Sequence, residues 1–456
     1  MPERIKELRV QKYTTFNTTF LAPNVGTGAW NRDDISVTGL AVSTRPSTTY
    51  TGKLSVVAVD TTGLDHVAIE NAEIQQKMSG NPAPVKGPKQ GNFKFTTYMG
   101  KAAATIYPPI QAELLEAVMG GRVSPNATTC PSAADRVVPI YGASQIYQLT
   151  ITKANAANII NTALASAVVF AGQGVLIGAR GDGRGEGQVR IVRDETTNSV
   201  TINHPVTAAP TTDDDIYIGH TVFFDSDATQ QYLDWIMQGR QAGDDIQGIA
   251  SIGKCNVTGL GIGEVPSLEF DLACGSWQWV TTGSVDMDTT YATEGTSAPT
   301  IHEGLFLLTD HSSTPSTAAY DATQLMSCGS VAVDLGIEYV PVEGFNGVNG
   351  IDRFQKIRCK PTITCNILID DAFGGTGTYD ALYTDYVNGT AKTVILQIGH
   401  TPNNCIAFVM DKCYMSACPK HTSMNGLQAV SIQLTGTQYS ANGNDMLDSP
   451  ITIHWF

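Results

Sequence analysis

Short stretches of alternating apolar and polar residues recur along the chain. They outnumber stretches with helical spacing. Alternation puts every second side chain on one face, which marks a half-buried strand. It predicts strands over 52–60 (GKLSVVAVD), 66–76 (HVAIENAEIQQ), 92–99 (NFKFTTYM) and 144–152 (SQIYQLTIT). Further on it predicts strands over 330–340 (SVAVDLGIEYV), 360–370 (KPTITCNILID) and 392–399 (KTVILQIG). Residues 231–238 fit a strand or a helix equally well. Helical spacing stands out twice. In 108–121 Ile110, Leu114, Leu115 and Val118 form a stripe, Glu113 and Glu116 face away, and Gly120-Gly121 is the stop. In 378–389 the stripe is Tyr379, Leu382, Tyr383 and Tyr386, closed by Asn388-Gly389.

Between these elements, 78–91 (MSGNPAPVKGPKQG) and 343–354 (EGFNGVNGIDRF) carry Gly, Pro, Asn and charge, which predicts exposed loops. Residues 280–330, rich in Thr, Ser and Asp, read as loop or linker. The block 155–226 differs in character. It holds the most apolar run, 163–179, expected to form one or two buried strands, and a hairpin of 188–193 with 199–203.

Two stretches match each other. GKCNVTGLGIGEVPSLEFDLACGSW (253–277) and DKCYMSACPKHTSMNGLQAVSIQLTG (411–436) both open on Lys-Cys and close on an alternating strand. Around each, the order strand, loop, strand, helix, strand, hairpin occurs once, over about 66–280 and again over about 330–440. This predicts a duplicated unit of roughly 120 residues. The expected division is an arm with strands at 1–60, a first unit at 61–154 and 227–282, an inserted β-domain at 155–226, a linker at 283–329 and a second unit at 330–456. The fold class is mainly β (α+β): two sandwich or barrel units, each with a flanking helix, plus a small inserted all-β domain.

The chain has 456 residues and a net charge of −15, with only 16% charged residues. That acidity disfavours tight binding of nucleic acid without excluding a surface that nucleic acid slides past. The opening MPERIKELRVQKYTTF has no apolar core, so no secretory signal is expected. The nine cysteines form no Cys-x-x-Cys pair, and buried thiols in strands are expected for Cys255, Cys274, Cys365 and Cys413. Candidate chemistry is thin. GARGDGRGEG (178–187) lacks the Lys-Ser/Thr and helix of a phosphate loop and reads as a turn. His400 and His421 near Cys405 and Cys418 form no recognisable catalytic arrangement beyond proximity in sequence. Asp213–Asp215 and Asp370-Asp371 read as solvated acidic turns. Glu269 and Asp271 share one face of a strand whose other face is Leu268, Phe270 and Leu272, and the matching face in the second copy holds Ser431, Gln433 and Thr435. Two such polar faces suit an aqueous wall or an ordinary solvent-facing sheet.

The runs AIENAEIQQKMSG, GNFKFTTYMGK and ELLEAVMGG, with the two hairpins above, resemble the major tail proteins that build the tail tubes of long-tailed bacteriophages. The resemblance covers about 60–440 and lies in pattern and order. It implies a structural virion protein without enzymatic activity or cofactor. Subunits would join their sheets into a barrel around a DNA channel and stack as rings. It places lumen strands at 92–99, 251–258, 265–273, 361–369, 407–415 and 427–435. Lumen-facing residues would be Lys94, Thr96, Glu269, Asp271, Thr362, Thr364, Ser431 and Gln433. Stacking loops at 78–91 and 343–353 would contribute Pro84, Lys86, Lys89, Phe345 and Asn346. The 155–226 block would decorate the outside and be dispensable for assembly. Because family members commonly close with six tube units, two units per chain imply a ring of three chains with pseudo-sixfold symmetry. Implied partners are further copies, the tape-measure, terminator and distal tail proteins, and passing DNA, with no membrane. The setting would be the virion tail, assembled in the host cytoplasm. A tail-hub, baseplate or decoration protein is the alternative. An enzyme, such as a polysaccharide-degrading β-protein, would need a cleft with perturbed carboxylates.

Overall fold

The computed structural model describes residues 7–13, 53–54, 56–69, 85–100, 109–123, 137–139, 142–145, 148–150, 171–179, 187–195, 199–206, 214–225, 228, 230–238, 245–261, 263–280, 304–311, 328–369, 378–402, 404–438 and 445–456. The protein is mainly β, with a nineteen-stranded antiparallel sheet system, a seven-stranded sheet and a two-stranded hairpin.

The large system contains two sets of strands with one order of pairing. In the first, Glu7–Tyr13 pairs with Tyr232–Gln238, which pairs with the opening half of Asp245–Thr258, which also pairs with Ser276–Val280. The closing half of Asp245–Thr258 pairs with Ser267–Cys274, then Val85–Tyr98, then Val56–Asp60. In the second set, Gly304–Asp310, Lys392–Ile398, the opening half of Ile406–Met415 and Thr452–Trp455 follow in the same order. The end of Ile406–Met415 pairs with Leu427–Gly436, then Thr362–Leu368, then Cys328–Asp334.

Each set is therefore a sandwich in which one long strand, Asp245–Thr258 or Ile406–Met415, belongs to both layers. In the first set that strand bends at Ala250, a non-glycine residue at φ 50°. The buried Asp234 carboxylate accepts the Ala250 N–H at 2.7 Å and holds the bend. Asp234→Ala is expected to lower stability by about 2–3 kcal/mol, the cost of losing a buried hydrogen bond to a charged group; urea denaturation measures it.

Alternation explains the core. Phe93, Phe95, Cys255, Val257, Leu268, Phe270 and Leu272 project from one layer of the first set and meet Leu8, Val10, Leu233, Trp235 and Met237 from the other. Phe93 stacks on Trp235, with ring centroids 3.7 Å apart. The matching core of the second set uses Ile363, Cys365, Ile367, Ile432 and Leu434 against Phe306, Leu308, Val394, Leu396 and Phe408.

Several expectations are corrected. Residues 85–91 are strand rather than loop, because Ala68 and His66 pair with Lys86 and Lys89; Pro84 and 70–84 lie outside the described residues. The expected loop at 343–353 is the end of a long hairpin, Ile337–Val348 with Ile351–Cys359, turning through Asn349 and Gly350 at φ 52° and 79°. An Asn-Gly turn needs that left-handed geometry. The expected linker contains the strand Gly304–Asp310, paired along its whole length with Lys392–Ile398. The helix Ile110–Met119 (α1) buries Glu116 instead of exposing it, because Arg122 Nε donates to Glu116 Oε2 at 2.6 Å. The helix Thr378–Asn388 (α2) sinks Leu382, whereas Tyr383 and Tyr386 of its expected stripe are exposed. Residues 231–238 resolve to the strand Tyr232–Gln238, and 188–195 with 199–202 form the expected hairpin.

The inserted domain begins before 155. Val137–Pro139, Gly142–Gln145 and Gln148–Thr150 belong to its seven-stranded sheet, so 144–152 is not one strand of the first set. Its last strand is Asp214–Ile218; His220–Phe224 instead joins the large system, between Gly120–Val123 and Thr452–Trp455. Although inserted in the first set, the domain packs on the second. Leu176, Val189 and Ile191 meet Leu307, Ile395, Ala407, Val409 and Phe456. Arg193 Nη2 lies 2.9 Å from Asp411 Oδ2, Asn203 Nδ2 donates to Asp411 Oδ1 at 3.0 Å, and Gln397 bridges Val189 N–H and Gly187 C=O. The strands TVILQI and IAFVM are buried on both faces, with the polar Thr393 and Gln397 hydrogen-bonded on the side under the inserted domain. Deleting 155–226 therefore uncovers a second core, and the deletion is expected to yield aggregated protein.

Candidate functional site

The strands that face away from the core on their polar side form one continuous surface. The two sets are joined edge to edge: Asn256 pairs with Asp334, and Val257 with Val333. The sheet thus runs unbroken through eight strands: Val56–Asp60, Val85–Tyr98, Ser267–Cys274, Asp245–Thr258, Cys328–Asp334, Thr362–Leu368, Leu427–Gly436 and Ile406–Met415.

Register fixes which residues share its face. Lys94 stands opposite Asp60 and Asp271; Thr96 stands opposite Ala58 and Glu269. Asp271 stands opposite Lys254, and Glu269 opposite Asn256. Across the joint, Asp334 stands opposite Thr362, and Thr362 opposite Thr435. Thr364 stands opposite Gln433, and Asn366 opposite Ser431. All eight residues expected to line a lumen therefore lie on this one face. The sequence reading missed Asp60, Lys254, Asn256 and Asp334, although the same alternation carries them.

The two halves differ in charge. Each begins with an aspartate that accepts a backbone N–H two residues on: Thr62 N to Asp60 Oδ1 and Gly336 N to Asp334 Oδ1, both 2.8 Å. From Asp60 the transverse row reads Lys94, Asp271, Lys254. From Asp334 it reads Thr362, Thr435, Tyr414. On this alignment Glu269 matches Gln433 and Asp271 matches Thr435, two positions from the correspondence that the hairpin motifs suggest.

Contacts along the row are loose and solvated. Lys94 Nζ lies 3.6 Å from Asp271 Oδ2, and Thr258 Oγ1 lies 3.4 Å from Glu269 Oε1. In the amide orientation that satisfies both atoms, Asn256 donates to Asp334 Oδ1 at 3.0 Å, spanning the joint. The Thr62 hydroxyl and N–H hold the Asp60 carboxyl below its ordinary value. A shallow depression of about 320 Å³ opens on this face, lined by Asp60, Lys94, Thr96, Asn256, Glu269 and Asp271 among others. An exposed ion pair of this kind adds about 0–1 kcal/mol, so the row sets surface potential more than stability.

The stacking candidates are scattered. Phe345, near the end of the long hairpin, is 110% exposed; Asn346 follows it in the same strand. Lys89 Nζ stands 5.6 Å from the centroid of Trp277. Phe345→Ala is expected to leave the melting temperature of the isolated chain unchanged while weakening any contact the hairpin end makes with another copy; calorimetry and light scattering separate the two.

Of the candidate nucleophiles, Cys405 is buried and Cys418 half-buried. Burial pushes the Cys274 thiol up to about 11, the Cys359 thiol up to about 12, and those of Cys405 and Cys413 higher still. Cys405 sits in the apolar cluster under the inserted domain, and His421 stacks on Tyr379 at 4.0 Å. Among the described residues no group of three or more His, Cys, Asp or Glu is placed to hold a metal, and no helix is long and apolar enough to cross a membrane. No protein-family model matches the chain, and no curated protein matches it.

Proposed function

We propose that the protein is a structural subunit that polymerises into rings and stacked tubes of the kind that major tail proteins form in long-tailed bacteriophages, with DNA passing along the polar face. The observation that carries this reading is the joint inside the chain. One set of strands adds its sheet to the next through Asn256–Asp334, core side inward and polar face outward. Among the described residues both ends of the eight-stranded sheet keep open positions: Val56–Asp60 pairs only with Val85–Tyr98, and beyond Cys413, which also meets Lys392, Tyr414 and Met415 pair only with Leu427–Gly436. Open edges invite pairing, and a closed barrel removes them. Repeating the internal joint between copies closes the sheet into such a barrel.

The dimensions favour few copies. Three chains would bring about 24 strands, which at about 4.8 Å spacing and about 40° tilt close a barrel about 48 Å across the backbone. Side chains narrow that to a channel suited to one duplex with a water layer. Six chains would make a barrel about twice as wide. An acidic and neutral lining limits phosphate contacts, which keeps DNA from adhering.

Electron microscopy of the purified protein tests the reading. Tubes whose rings contain three chains with approximate sixfold symmetry are the expected result. Rings of six chains, or no ring at any concentration, would overturn it. In the setting proposed, the partners are other copies and further tail proteins, and the location is the virion tail.

A further inference from the structure

The two helices occupy the same place in the two pairing orders but differ in exposure. Nearly all of α1 is buried, Glu116 included. On α2, Tyr383 is 45% exposed, Tyr386 36% and Val387 62%. What covers the first set's flank comes from the second. The strands Gly120–Val123 and His220–Phe224, which extend the layer of Thr452–Trp455, lie against α1. The hairpin Ile337–Cys359 lies across the same flank: Tyr232 Oη donates to Phe354 C=O at 3.2 Å, Asn349 Nδ2 donates to Gly275 C=O at 3.1 Å, and Ile351 and Phe354 pack on Tyr232 and Ile252. Lys356 of this hairpin is held near Glu116 and Asp225.

The elements of the first set that correspond to this cover are present but have no equivalent partner among the described residues. Ser276–Val280 matches Thr452–Trp455, yet among the described residues it pairs on one side only, and Trp279 is 52% exposed. The strand Val85–Tyr98, with Leu64–Ile69, matches the long hairpin, and its base touches Ser276–Val280 through Lys89 and Trp277. Charge fits in part: Lys86 and Lys89 lie on that strand, whereas α2 carries Asp380 in its first turn and no basic residue in its last; Asp385 is bridged to Lys392 and Lys94 to Asp271 within the chain.

We propose that the exposed face of α2 on one copy docks against the first set of a second copy, beside Trp279 and the Leu64–Tyr98 hairpin. The contact repeats between copies the cover that the second set gives α1 within one chain. It is heterologous, with different patches on the two partners, so every copy offers one α2 face and one Trp279 face, and the chain of contacts closes as a ring. This rests on the ring reading above and adds the surface that sets the contact.

The test uses the full chain and two variants at exposed positions, Val387→Glu and Trp279→Glu. Each alone is expected to raise the concentration needed for assembly at least tenfold at an unchanged melting temperature. Mixed in equal amounts they are expected to give dimers, because one copy retains its Trp279 face and the other its α2 face; sedimentation resolves these from monomers and rings. Wild-type rings together with a Val387→Glu variant that assembles at the wild-type concentration would overturn the docking and leave the ring reading standing. A mixture that holds only monomers would also overturn it. A variant that fails to keep the wild-type melting temperature is replaced by Val387→Ser, read by the same concentration threshold. A wild-type chain that stays monomeric at every concentration would overturn both readings.

Discussion

Lowering the pH from 7 to 5 is expected to remove about 4 kcal/mol of folding stability. Two buried histidines are responsible, both where the inserted domain meets the second set. His454 lies between Thr221 Oγ1 at 2.9 Å and Thr452 Oγ1 at 2.8 Å, and burial pushes it down to about 3. His204 is also pushed down to about 3, first by burial and then by the Arg190 and Arg193 guanidinium groups. Both stay neutral in the folded chain until about that pH, whereas in the unfolded chain they take up protons near 6.5. Their contribution is therefore complete above pH 6.5 and is lost as the pH falls toward 3. Each histidine accounts for about 2 kcal/mol at pH 5. Urea denaturation at pH 7, 6 and 5 measures the loss, and His204→Gln with His454→Asn should flatten the profile. Equal midpoints at pH 7 and pH 5 would show that these rings are not held neutral.

Replacing Glu269 and Asp271 together by lysine is expected to turn assembled tubes from DNA-indifferent into DNA-retaining. The change removes two negative charges and adds two positive ones per chain, beside Lys94 and Lys254 on the neighbouring strands. Each phosphate neutralised steepens the fall of affinity with salt by about 0.9 in log–log slope. Retention should therefore be strong at about 50 mM salt and fade steeply by about 200 mM. The fold should survive, because Glu269 is exposed and Asp271, itself half-buried, makes only a 3.6 Å ion pair with the exposed Lys94. DNA capture by purified tubes across a salt series is the measurement. No gain in capture by intact tubes would place this face away from the channel.

Much of the fold was legible where burial is one-sided. Phe93 and Phe95, or Leu268, Phe270 and Leu272, alternate with polar neighbours, and the strands follow. The polar face was legible for the same reason. What escaped depended on partners distant in sequence. Glu116 reads as a solvent-facing glutamate until Arg122 folds back onto it. The strand GLFLLTD looks like a short apolar run in a linker until Lys392–Ile398 pairs with it. The Gly- and Asn-rich 343–353 reads as a loop because turn residues dominate it, although its flanks continue as strands. The seat of the inserted domain left almost no local trace. Val189 meets Gln397 from 208 positions away, and Thr221 meets His454 from 233. Only the apolar runs at 394–396 and 406–410 hinted that something covers both of their sides.

That distant seating sets a timetable for synthesis. Leu176, Val189 and Ile191 emerge from the ribosome long before Phe456, the residue that completes their cluster. At about 5–20 residues per second, the interval is roughly 14–56 s. Throughout it the surface that the inserted domain rests on is incomplete, and Gly120–Val123 and His220–Phe224 lack the strand Thr452–Trp455 that ties them to the second set. A nascent chain therefore holds the layer beside α1 incomplete until Thr452–Trp455 has been made. Chains that have passed Phe456, rather than shorter ones, are the species able to offer both edges of the sheet to a neighbour.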